Sequence, residues 1–342
     1  MIKEKINIKA ALAAAILSAA SIMLLWFTLF NIPFLPVFFG IGVNIPVLFV
    51  LFSYGWQNGL AAALLAGLFL GLVLPAEPAL LLAFFFFLPA LFTGWLLGLQ
   101  TNSGQAKPGK NTFGEQNLPQ FYPLPAAIFQ LALIIAFVTI AVLFYSFSNA
   151  DKAQAFNLVT SQIADFIAKK NFYNMPAQSG DIHNILQHLL PVLLAVSLAL
   201  YGFLFQLAAI YCAMRLARRN NSLRRPFGYW PADLRLPPMA LFLFISLWIA
   251  SYFIGNATFT AAPTLTLCVN VILAVLAAGF CVSGLAVLHQ TARGSWSWLR
   301  FLIYICLFSL VLTPVIFFGL VIMGLFATPF PSAKQSGPPP LP

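Results

Sequence analysis

Residues Gly104 to Asn111 read GQAKPGKN, one residue short of GxxxxGK[ST], the loop that cradles nucleotide phosphates in backbone N–H groups. That chemistry needs a strand before the loop, a helix after it and a Ser or Thr hydroxyl for magnesium. Here the flanks are apolar runs and Asn111 replaces the hydroxyl, so nucleotide binding is not expected. Hydrolysis inside a bilayer would need paired aspartates, a serine–histidine pair or a zinc-holding histidine cluster. His188 and His289 lie near opposite faces by the topology worked out below, without such partners. Cys212, Cys268, Cys281 and Cys306 all fall in apolar runs with no CxxC spacing and read as packing residues. The expectation is a protein that is not an enzyme and uses no metal or cofactor. Uncharged polar groups inside the apolar runs are what remains: Asn44, Gln130, Ser197, Tyr201 and Gln206 are the ligand-binding candidates, beside Asn270 and Tyr304. Each either hydrogen-bonds a small neutral ligand or joins two helices at roughly 0.6 kcal/mol per contact.

Charge is scarce and segregated. Only 7% of the 342 residues are charged, 61% are hydrophobic, and the net charge is +10. All eight arginines lie between positions 215 and 300, and six of them, Arg215, Arg218, Arg219, Arg224, Arg225 and Arg235, form one cluster between long apolar runs. Such a cluster marks the cytoplasmic side of a membrane. It would attract anionic lipid head groups by about 1 kcal/mol per residue, or equally dock a cytoplasmic partner. Topology accounts for the net charge, so nucleic-acid binding is not expected.

Stretches without charge count the crossings, because a charge at the bilayer centre costs roughly 2.5 to 3.5 kcal/mol. No Asp, Glu, Lys or Arg occurs from Ala10 to Ala76, which fits three crossings, and Leu236 to Ala292 fits two. Pro78 to Ala106, Gln116 to Ala150, Ile182 to Met214 and Phe301 to Ala333 fit one each. With nine crossings and an inner N-terminus, thirteen basic residues fall inside and four outside, which places the C-terminus outside. The third crossing, about Gly59 to Pro75, is short enough to be partial or tilted.

Particular spans carry their own signals. The second, Ile32 to Tyr54, holds Pro33, Pro36 and Pro46 with Gly40, Gly42 and Asn44, so it reads either as a broken segment lining a pocket or as a proline-kinked outer loop. Gly55, Gly59, Ala63, Gly67 and Gly71 repeat every fourth residue as a helix-packing stripe. Ala10, Ala11, Ala14, Ala15 and Ala19 form a second, and Ala278, Gly279 and Ser283 a weaker third. Phe156, Val159, Ile163, Phe166 and Ile167 recur at helical spacing, predicting an amphipathic helix over 151–170 on the outer surface. The proline-rich tail 328–342 is expected to be disordered.

The string from Arg224-Arg225-Pro226 through Trp230-Pro231, Asp233, Arg235 and Pro237, followed by Gly284, His289, Arg293 and Gly294, resembles the YybS-like bacterial membrane proteins catalogued as domain of unknown function 2232. That family carries no established activity. It is thought to be distantly similar to the substrate-binding subunits of energy-coupling-factor vitamin transporters. The resemblance implies that Ala11 with Ala15, and Ala15 with Ala19, would dock a transmembrane coupling subunit. Those subunits have six spans; three more follow the arginine cluster here.

The sequence therefore predicts an all-α, polytopic transmembrane bundle in a bacterial inner membrane. Its parts are a six-span unit over 1–214, a cytoplasmic arginine-rich loop over 215–237, a three-span part over 238–327 and the tail. The expected function is to bind or transport a small molecule captured on the outer side, with a partner supplying energy. The alternative is a scaffold for envelope-assembly or division proteins.

Overall fold

Water does not reach the backbone inside hydrocarbon, so an apolar run must satisfy its N–H and C=O groups within itself, as a helix. The computed structural model describes residues 7–31, 35–101, 120–148, 154, 161, 179–225, 230–255, 262–291 and 314–328. They fold as α1 (Ile8–Asn31), α2 (Leu35–Gly42), α3 (Ile45–Tyr54), α4 (Trp56–Val73), α5 (Ala76–Gly98), α6 (Leu124–Ser148), α7 (Ser179–Arg219), α8 (Trp230–Asp233), α9 (Pro238–Gly255), α10 (Ala262–Thr291) and α11 (Pro314–Ala327). Between α5 and α6, β1 (Gln100–Thr101) pairs antiparallel with β2 (Gln120–Phe121), Gln100 opposite Phe121. The protein is an all-α polytopic bundle.

Among the described residues seven helices are long and apolar enough to cross a membrane, and two shorter apolar segments, Phe38–Tyr54 and Phe317–Ala327, stand at the second and ninth expected crossings. The short third crossing is the 18-residue α4, about 27 Å of helix against a core of about 30 Å. The second is a kinked helix: α2 gives way to α3 at Val43 and Asn44, because Pro46 supplies no N–H to the Gly42 carbonyl and its ring crowds the preceding turn. α3 and α4 then meet at Gly55, whose φ of 99° a side chain would oppose.

Small residues set the helix spacing. α1 lies along α4, with Ala11, Ala14, Ala15 and Ala19 buried on one side and Asn58, Ala62, Ala66 and Leu70 on the other. Gly59 and Ala63 are buried beside them, Gly67 is half-buried opposite Ala83, and Gly71 is exposed with open space before it. Leu64, Leu68 and Leu72 point outward from α4 as a ladder suited to lipid. The tightest crossing joins α10 to α11, where Gly284 lies against the Leu320 carbonyl and Gly324 against the Phe280 carbonyl, backbone on backbone. The weaker stripe of Ala278, Gly279 and Ser283 is buried as well, with Gly279 against the Leu236 side chain. α10 also packs on α6 and α7, so the last spans share a core with the first six.

The predicted loop over 215–237 starts too early, since α7 continues through Arg215 and Arg218 to Arg219. Cations are favoured at a helix C-terminus, where the carbonyls carry partial negative charge. The amphipathic segment 151–170 (apart from two helical positions, Gln154 and Ser161), the phosphate-loop look-alike, Tyr304, Cys306 and the proline-rich tail after Thr328 lie outside the described residues.

Candidate functional site

The end of α7 is built to turn the chain back on the bundle. Asn221 adopts a φ of 52°, the Ser222 N–H donates to the Ala217 carbonyl at 2.9 Å, and the Asn221 N–H donates to the Arg218 carbonyl at 3.0 Å. This pair of bonds around a left-handed residue is the Schellman termination, with Asn in the place more often held by Gly. The reversal brings the Ser222 hydroxyl within 2.8 Å of that of Ser53 at the end of α3. Three residues later the Arg225 guanidinium donates to the Leu97 carbonyl at 3.2 Å and the Tyr122 carbonyl at 3.3 Å, and lies 5.7 Å from the Phe121 ring centre. Leu97 is in the last turn of α5, where carbonyls lack intrahelical donors, so Arg225 serves as a cation cap that ties α5 to the start of α6.

Other contacts gather at the same end. The Asn7 N–H donates to Asn58 Oδ1 at 2.6 Å, joining the starts of α1 and α4. Trp230 packs edge-on against Tyr211 at 5.1 Å, and Arg235 donates to Gln290 Oε1 at 3.3 Å, joining the start of α9 to the end of α10. Every one of these element ends belongs to the side on which the nine-crossing count places the basic residues.

A cavity of about 470 Å³ opens where they converge. Leu51 and Phe52 of α3, Trp56 and Gln57 of α4, Trp95, Leu97 and Leu99 around the end of α5, Phe121 of β2, and Leu223, Arg224 and Arg225 line it. Gly94 holds space on the α5 side, where a Cβ would come within 2.8 Å of Leu51. Trp56 and Trp95 stand 6.4 Å apart at 56°. A second cavity, about 330 Å³, is lined by Arg218, Asn221, Leu223 and Arg225, so Leu223 and Arg225 form a shared wall between an aromatic chamber and a basic one. Burial lowers the pKa of Arg225 and nearby Asp233 raises it; burial lifts the Asp233 carboxyl and Arg225 opposes that lift.

None of the five ligand candidates read from the sequence lines either cavity. Asn44 is wholly buried, with neither its side-chain oxygen nor its nitrogen bonded. Gln206 is buried and its Nε2 donates to the Phe86 carbonyl at 2.6 Å, in the turn of α5 that Pro89 loosens by lacking an N–H. Gln130 is half-buried, while Ser197 and Tyr201 are exposed, Tyr201 resting 5.9 Å from Phe205. Trp56, Trp95 and Phe121 are the lining residues that sequence reasoning passed over. The available signal was a tryptophan directly after a glycine at two run ends, Gly55 with Trp56 and Gly94 with Trp95.

The docking face implied by the transporter resemblance is not available on this chain: Ala11 and Ala15 are 1% and 0% exposed, turned inward where α1 lies along α4. Among the described residues no group of three or more His, Cys, Asp or Glu is placed to hold a metal ion.

A family model described as a predicted membrane protein, DUF2232, matches residues 19–327. No curated protein and no solved structure matches the chain.

Proposed function

Since the chain belongs to the DUF2232 family of predicted membrane proteins, we propose that it is the small-molecule-binding component of a membrane system, and that its ligand is an amphipathic anion. The observation that carries this reading is the pairing of Arg224 and Arg225 with Trp56, Trp95 and Phe121 around one cavity of about 470 Å³. Guanidinium groups suit a phosphate, sulfate or carboxylate head, and the aromatic chamber suits an apolar body. The site lies at the arginine end and not at the outer mouth that the scattered polar residues suggested. The excess of basic residues assigns that end to the cytoplasm of a bacterial inner membrane, with the C-terminus outside. If the protein also moves its ligand, energy comes from a partner, because the centres of the spans carry no Asp, Glu, Lys or Arg to couple to a proton. Nothing in this role requires bond chemistry, so we infer binding without catalysis.

The test is to purify wild-type protein and the Arg224→Ala/Arg225→Ala variant, extract both and identify the released small molecules by mass spectrometry. The expected result is an acidic amphiphile retained by the wild type and lost from the variant. The same molecules recovered equally from both would overturn the reading. Empty protein that repeatedly brings down envelope-assembly proteins would favour the scaffold role instead.

A further inference from the structure

The kink between α2 and α3 has unmet hydrogen-bonding capacity at mid-membrane. Ten residues of helix separate Asn44 from Tyr54 at the arginine end, about 15 Å, half the thickness of a bilayer core. Asn44 is 0% exposed, and both Oδ1 and Nδ2 lack a partner, so turning the amide over relieves neither. The side chain does not cap α3 either. An amide buried in an apolar medium without partners costs several kcal/mol. Two more groups belong to the turn before Asn44 and to the helix packed on it. Pro46 has no N–H, which leaves the Gly42 carbonyl without its usual helical donor. Ser18 of α1 is wholly buried, and its Oγ is also unpartnered. α1 packs on both α2 and α3, and Ser21, one turn further along α1, faces Gly42, its Oγ 3.6 Å from where a Cβ would stand. A methyl at that glycine would therefore meet α1 only in ordinary van der Waals contact.

We propose that this kink encloses a water molecule held by the Asn44 side chain, the Gly42 carbonyl and the Ser18 hydroxyl. Water suits the set because Asn44 offers a donor and an acceptor, the carbonyl accepts and the hydroxyl does either. Two to four such partners are what a buried water takes. A bare cation would use only the oxygens and leave Nδ2 unmet, with no carboxylate nearby to balance its charge. A hydrated kink explains how a proline, two glycines and an asparagine persist at the depth where an unsatisfied backbone is most costly.

The experiment uses the full chain labelled with ¹⁵N-asparagine in lipid nanodiscs, with the Asn44 side-chain signal assigned by its loss in Asn44→Leu. Magnetisation transfer from water to the Asn44 NH₂ is expected, and a dry amide with no transfer overturns the proposal. Thermal unfolding gives an independent sign. With water present, Asn44→Leu evicts it, strands the Gly42 carbonyl and Ser18, and lowers the midpoint by roughly 2–5 °C. If the pocket is empty, leucine relieves an orphan amide and the midpoint rises, which also overturns the proposal. Should Asn44→Leu fail to fold, Ser18→Ala serves. It is expected to weaken the transfer at Asn44, and an unchanged signal removes Ser18 from the site and overturns the ligand set.

Discussion

Replacing Arg225 with alanine tests the central physical claim about the arginine end, that one half-buried guanidinium fastens three elements. The substitution removes bonds at 3.2 Å to Leu97 and 3.3 Å to Tyr122, and the contact with the Phe121 ring at 5.7 Å. A hydrogen bond to a charged group contributes about 1.5–3 kcal/mol at best, and a cation over an aromatic face about 0.5–1 kcal/mol when exposed. Both bonds are long and the side chain retains contact with water, so the low end of each range applies and the expected loss is about 3–4 kcal/mol. Arg225→Lys retains the charge but cannot span both carbonyls, and should lose about half as much. Arg219→Ala, at an exposed position on the end of α7, is the control and should stay within about 0.5 kcal/mol. Thermal unfolding of the detergent-solubilised protein, followed by tryptophan fluorescence, reads all three. If Arg225→Ala behaves like the Arg219 control, or Arg225→Lys like wild type, the capping argument fails.

Three other outcomes follow from the same structure. Gly284→Ala sets a methyl into the Leu320 carbonyl, and since backbone cannot rotate aside, α10 and α11 must part at about 1–3 kcal/mol; Gly319→Ala, which meets open space, should be neutral or slightly stabilising in the same unfolding assay. Burial raises Asp233 above its ordinary 3.8, so between the two values the folded state binds the proton more tightly and stability rises as pH falls through that window. Asp233→Asn should remove that rise, and an unchanged stability–pH profile would count against the assigned shift. For the orientation, an alkaline phosphatase fusion after Gly180 should be active and one after Ser222 inactive, and the reverse pattern would invert the bundle.

How far the sequence carried these conclusions depends on the physics behind each feature. Charge-free stretches located the crossings because the cost of a charge in hydrocarbon depends on depth and hardly on neighbours. The kink at Asn44 was legible for the same local reason, since Pro46 removes its donor whatever surrounds it. Packing was legible in part. Ala11 and Ala15 announced a close helix approach, but the spacing could not say whether the partner was another subunit or, as the structure has it, α4 of the same chain. The backbone contact of Gly284 with Leu320 depends on how α11 crosses α10, which no periodicity within α10 encodes.

The cavity was the least legible feature, because its walls come from four stretches far apart in sequence and each has a sufficient local explanation. Trp56 and Trp95 drew no reading of their own, and the arginines read as an orientation signal. What they could not convey is that the Schellman turn at Asn221 folds Arg225 back across the end of α5, which brings the cation and the two indoles around one space. The cavity therefore depends on the direction of the chain after Arg219. A left-handed asparagine sets that direction, and its neighbours gave no reason to single it out.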